Sequence, residues 1–304
     1  MAHRANHSTR RARRAAAFVT FVSALAACAV WGIPSARGAD ADIVEDVVYG
    51  HKLGLAMTFD VYRPKAGANG AGVLFMVSGG WYSTWAPPAS AMPLFAPLLD
   101  KGFTVFAVRH GSSPKFSIPE AVSDVRRAVR FIRSNAARWD VDPNRLGVFG
   151  MSAGGHLSLM LATASDEGDS ANADPIERAS DRVAAVVAIV APTDLRIMVW
   201  EAPEKLPAYK QFPALDLDLE SAQEMSPLVH VSQDDSPTLL IAGDKDDLVP
   251  IAHSERIHAA FGENKVVSEF LVLKGAGHGF RGDDQRRAFE ALVGWFEKHL
   301  AKPQ

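Results

Sequence analysis

Cysteine is almost missing from the 304 residues: there is one, Cys28. It lies in a stretch expected to leave the mature protein, which excludes a disulfide framework and a thiol nucleophile there. Metal-ligand spacings such as H-E-x-x-H are missing, and so are the phosphate-cradling G-x-G-x-x-G and Walker patterns. These absences point to chemistry without a metal or another cofactor. Basic residues are also scarce once the N-terminus is set aside. Residues 1–38 hold six of the 32 Lys and Arg and none of the 35 Asp and Glu, so the remainder is about nine charges negative. It contains no basic stripe with interleaved aromatics, which argues against a nucleic-acid partner.

What is present begins with a leader. Arg4, Arg10, Arg11, Arg13 and Arg14 precede the apolar run Ala15–Ile33, and PSARGADAD follows. Basic, apolar and small-polar segments in that order form an export signal, residues 1–38, with removal near Gly38, Ala39 or Ala41. The expected location is therefore periplasmic or extracellular. Three variants of this reading stay open. The apolar run is long enough to remain as an anchor. Arg13-Arg14 allows twin-arginine export. Leu25-Ala26-Ala27-Cys28 resembles a lipobox, which would place a lipid on Cys28 and the protein on a membrane.

The rest of the chain, residues 39–304, reads as one domain of ordinary globular composition. Strands are expected at 43–49, 56–63, 72–77, 103–109, 145–150, 183–190, 238–243 and 268–273. The first two form a hairpin. Most of the others are continuous Val, Ile, Leu and Phe runs, which suit strands buried on both faces. Helical patterns alternate with them, and the clearest opens at Pro119 and places Val122, Val125, Val129 and Ile132 on one face. The alternation predicts an α/β fold with a mostly parallel central sheet and helices on both faces. Two stretches break it: a charged loop at 165–182, and a Pro- and aromatic-rich insertion at about 194–236 that reads as a lid.

GMSAGGH, Gly150 to His156, lies between an apolar strand and a helix. G-x-S-x-G is a weak pattern alone and a strong one in that setting, where a tight strand-to-helix turn exposes the serine hydroxyl. The helix N-terminus beside Ser152 favours developing negative charge. A serine hydroxyl needs a base. His156 reads as packed within the helix, and His253 and His258 as a solvated helix face. His278, flanked by glycines in GAGHGF, is free to reach a cleft, although an exposed loop histidine fits the same pattern. AGDKDDLVP offers three acids after a strand: Asp244, Asp246 and Asp247.

These residues resemble the α/β-hydrolase superfamily. They are most similar to bacterial esterases of the acetylxylan/feruloyl-esterase (BD-FAE-like) and hormone-sensitive-lipase-like groups. The likeness runs through GVLFMVSGGWYS, DVRRAVRFIRSNAARWDVDPNRLGVFGMSAGGHL, SPLVHVSQDDSPTLLIAGDKDDLVPI and GAGHGF. It implies an α/β-hydrolase fold and a serine carboxylesterase acting on short-chain or aromatic acyl esters. The substrate would be a small molecule or an ester linked to polysaccharide. It also implies a catalytic triad of Ser152, His278 and an aspartate, in the family's chain order. In the family pattern G-x-x-D-x-x-V-P the acid falls on Asp246, with Asp247 as its rival and Asp244 as a loop stabiliser. The oxyanion hole would draw on the backbone of Gly79, Gly80 and Ala153. The usual H-G-G-G-W is here Val77-Ser78-Gly79-Gly80-Trp81, so the loop has lost its anchoring histidine. Trp81, Tyr82 and Trp85 either wall a substrate pocket or simply pack. Other readings are a lipase, a peptidase with the same triad, or an inactive hydrolase-like binding protein. A single domain of roughly 260 residues leaves no room for a peptidase propeller, and the insertion is too charged for a lipase lid.

Overall fold

The structure is a computed structural model, and it describes residues 40–201 and 211–302, with only the backbone of Trp200 and Glu201. The leader, with Cys28, and residues 202–210 of the insertion lie outside the described residues. Eight strands form one sheet in the order β1-β2-β4-β3-β5-β6-β7-β8. They are β1 Ala41–Lys52, β2 Leu55–Pro64, β3 Gly72–Met76, β4 Thr104–Val108, β5 Leu146–Met151, β6 Ala185–Ile189, β7 Thr238–Gly243 and β8 Ser268–Leu273. β1 pairs antiparallel with β2, and β2 with β4; every later pairing is parallel. The parallel strands therefore end along one edge, and the loops leaving that edge are brought together.

Among the described residues six α-helices accompany the sheet: α1 Met92–Leu99, α2 Ile118–Ser134, α3 Ala153–Thr163, α4 Leu219–Glu224, α5 Ala252–Glu263 and α6 Gly282–His299. α2 begins one residue before Pro119 because Ser117 caps it. The Ser117 hydroxyl accepts from Glu120 N–H while the Glu120 carboxylate accepts from Ser117 N–H. This reciprocal pair satisfies two of the helix's orphan amides. Cores lie on both faces of the sheet. One gathers Phe59, Phe106, Val125, Val129, Ile132 and Leu157, and the other Phe95, Phe149, Leu292 and Phe296. This is the mostly parallel α/β sheet that the strand pattern predicts and the α/β-hydrolase fold that the resemblance implies.

The described part of the insertion carries the short helix α4, and Leu195, Met198, Ala214, Leu215 and Ala222 are buried in the first core. Those apolar side chains tie that part down. The charged loop at 165–182 is tied down too. Arg126 and Arg130 of α2 reach the fully buried Asp181, and Arg127 and Arg130 reach Glu177.

Candidate active site

Ser152 stands between β5 and α3 at φ 56° and ψ −121°. Only an over-determined turn holds a serine there, and such strain clusters at functional sites. Gly150 allows the turn: a Cβ at that position would lie 2.3 Å from the Gly154 backbone. Ser152 N–H donates to Ile189 O at the end of β6, which fixes the turn against the sheet.

His278 follows β8, and Asp246 follows β7. His278 Nε2 lies 2.9 Å from Ser152 Oγ, and His278 Nδ1 lies 2.8 Å from Asp246 Oδ2. The side chain of Asp246 is fully buried. Its other oxygen accepts from Leu248 N–H and Val249 N–H, both at 2.9 Å, so both carboxylate oxygens are paired. Asp244 instead accepts from Gly275 N–H at 2.6 Å, which links the two loops. Asp247 is exposed. Of the three aspartates, Asp246 is the one brought against His278.

The loop after β3 forms a two-residue turn. Gly79 and Tyr82 exchange N–H···O bonds of 3.0 Å in both directions, and Gly80 (φ 57°) and Trp81 (φ 60°) occupy the corners. Two positive φ values define a type I′ turn, which suits glycine and strains tryptophan. The turn corrects the expectation for Gly79, whose N–H is consumed by Tyr82 O. Gly80 N–H and Ala153 N–H, the latter at the first position of α3, have no acceptor among the described residues.

The aromatic wall also needs correction. Trp81 is 3% exposed, because the turn swings its ring inward. Its indole N–H donates to His156 Nδ1 at 3.3 Å, so it packs rather than lining an open pocket. Tyr82 is half-buried, and Trp85 is 55% exposed. The aromatic that does stand over the turn is Phe212 of the insertion: a Cβ at Gly80 would lie 2.5 Å from its ring.

His253 is buried rather than solvated, with Nδ1 accepting from Thr193 N–H at 3.2 Å. Burial pushes its pKa down to about 4, against the pull of Asp194. His258 is half-buried beside Ser268. His156 is fully buried as expected, and burial again lowers its pKa to about 4. His110, which sequence reading passed over, lies at the end of β4 with its ring against Ser78. Its signal was its place just beyond the strand expected at 103–109.

The BD-FAE family model matches residues 59–261, more than half of the chain. The chain belongs to the BD-FAE family. This BD-FAE member is 30% identical over 212 residues to "Probable carboxylic ester hydrolase LipM" of Mycobacterium tuberculosis, covering 68% of this chain and 48% of that protein. It is 26% identical over 254 residues to "Esterase LipQ" of the same organism, covering 82% and 60%. The chain thus spans about half the length of the curated relatives it matches. Among solved structures, a "Truncated form of carbohydrate esterase from gut microbiota" superposes with a TM-score of 0.72. It is 26% identical, with 88% of this chain and 99% of that one covered.

Proposed function

We propose that this protein is a serine carboxylesterase that hydrolyses short-chain or aromatic acyl esters. The observation that carries the reading is the hydrogen-bonded chain from Ser152 through His278 to Asp246. Ser152 Oγ attacks the ester carbonyl as His278 Nε2 takes its proton. Asp246 accepts from Nδ1–H, which fixes the tautomer and stabilises the imidazolium. The developing oxyanion is met by Gly80 N–H and Ala153 N–H and by the positive end of α3. His278 then protonates the leaving alcohol, and water repeats the sequence on the acyl-enzyme. The geometry needs no metal or other cofactor. The family membership and the esterase names of the relatives support ester hydrolysis. The carbohydrate-esterase neighbour supports sugar-linked acyl groups as substrates. An intact hydrogen-bonded chain speaks against an inactive binding protein.

The test is turnover of p-nitrophenyl esters of rising acyl length, followed by acetyl-xylan and methyl ferulate, by wild type and Ser152→Ala. Wild type is expected to prefer the short esters or the feruloyl ester. Ser152→Ala is expected to lose about 10⁴-fold or more in kcat. Comparable turnover by both proteins would sink the proposal.

A further inference from the structure

The turn that carries Gly80 is strained at Trp81, and such a conformation persists only where its surroundings over-determine it. Two buried histidines meet it, one at each end. Ser78 Oγ lies 2.9 Å from His110 Nε2, and His110 Nδ1 lies 2.9 Å from Gly111 O. A carbonyl only accepts, so the proton sits on Nδ1, and Nε2 accepts from the Ser78 hydroxyl. At the other end, the Trp81 indole N–H only donates, so His156 Nδ1 is the acceptor. His156 Nε2 carries the proton and donates to Met225 O at 2.7 Å. Each ring is thus held by a carbonyl behind it and offers a bare nitrogen to the turn. His110 is 4% exposed and His156 0%, so neither bond competes freely with water. Burial lowers the pKa of both and keeps them neutral.

We infer that Ser78–His110 and Trp81–His156 are two positioning pairs that hold the oxyanion turn in register with Ser152. The inference rests on the proposed ester hydrolysis. The topology explains the first pair. β3 and β4 are parallel neighbours with Met76 opposite Val108, so the residues just beyond their ends stand side by side. His110 reaches from the adjoining strand to a loop whose own histidine position is Val77. Ser83 closes the bracket: its hydroxyl donates to Val77 O at 2.7 Å and accepts from His110 N–H at 3.2 Å. The second pair joins the turn to the nucleophile helix itself, because His156 lies on α3 four residues after Ser152. Met76 O and Ser78 O also pack against Gly154 of that helix. Donors held this way are pre-placed, and misplacement by about 1 Å costs roughly a hundredfold in rate.

Ser78→Ala and Trp81→Phe each delete one hydrogen bond and keep the packing. Three readouts separate positioning from bulk stability. They are kcat and KM on p-nitrophenyl acetate, affinity for a trifluoromethyl ketone whose serine adduct carries an oxyanion, and Tm. Each variant is expected to lose about tenfold to a hundredfold in kcat at near-constant KM, and to bind the ketone weaker by the same factor. Ser78→Ala/His110→Phe is expected to be no worse than His110→Phe alone, because the Ser78–His110 contact is already broken in that single change. His110→Gln, which can still donate and accept, is expected to recover part of the loss. Wild-type kcat and ketone affinity in folded Ser78→Ala and Trp81→Phe would overturn the inference, as would a loss confined to KM. If Ser78→Ala does not fold, Trp81→Phe decides on the same readouts. Undiminished turnover in Ser152→Ala would instead strike the ester-hydrolase reading beneath it.

Discussion

Asp244, Asp246 and Asp247 are separated by what each carboxylate touches. Asp246 is buried against His278 and two backbone amides, Asp244 bonds the neighbouring loop, and Asp247 is exposed. Asp246→Asn is expected to lower kcat about 10⁴-fold by disturbing the imidazole tautomer, and Asp247→Asn to stay within about twofold of wild type. Loss on Asp247→Asn with Asp246→Asn spared, in a plain kcat comparison, would reverse the assignment. Gly80 makes a second residue-scale case, with its positive φ and with Phe212 where a Cβ would go. Gly80→Ala is expected to cost about 10²-fold in kcat by displacing the donor. Phe212→Ala in the same chain is expected to recover the steric share, measured on the same ester. Ser152 stood out in its strand-to-helix G-x-S-x-G turn and His278 in its glycine-flanked loop, whereas Asp246 was set apart from Asp244 and Asp247 only by the family pattern. The occupation of Gly79 N–H and the inward swing of Trp81 were not, because both depend on φ values that no residue pattern specifies for tryptophan.

Elements were legible to within a few residues wherever packing forces one pattern. All eight expected strands are found, the inner ones because a strand covered on both faces leaves an unbroken apolar run and the first two because they read as a hairpin. The prolines of the insertion suggest irregular backbone, whereas buried leucines and alanines fix its described part to the core. His253 was misread because α5 exposes Glu255 and Arg256 beside it, and only the arrival of Thr193 from the end of β6 buries its ring. His156 on α3 and His253 on α5 are both held neutral with pKa values near 4, against 6.5 when free. Below pH 6.5 the unfolded chain therefore binds more protons at these sites than the folded one. Their stabilisation is full above about pH 6.5 and is lost as pH falls toward 4, at up to about 1.4 kcal/mol per pH unit for each ring. Urea unfolding between pH 6.5 and 4.5 is expected to give a slope shallower by about that amount in His253→Gln than in wild type. An unchanged slope would show that His253 does not titrate with folding.

For the molecule as a whole, parallel strand ends create the site. Ser152 after β5, Asp246 after β7, His278 after β8, the Gly79–Tyr82 turn after β3 and His110 after β4 all leave the same edge of the sheet. Sequence order could place each residue at a strand's end. Only the strand order 4-3-5 makes the β4 end adjoin the β3 loop, and this is why a place beyond a strand did not by itself tie His110 to that loop. The central claim is that Ser152 is the nucleophile that this edge activates. The most direct measurement is intact-protein and peptide mass analysis after reaction with a fluorophosphonate, alongside residual hydrolysis of p-nitrophenyl acetate. One adduct on Ser152, with hydrolysis lost in step with labelling and no adduct on Ser152→Ala, is the predicted result. An unlabelled folded wild type, or an adduct elsewhere that abolishes hydrolysis, would contradict the account.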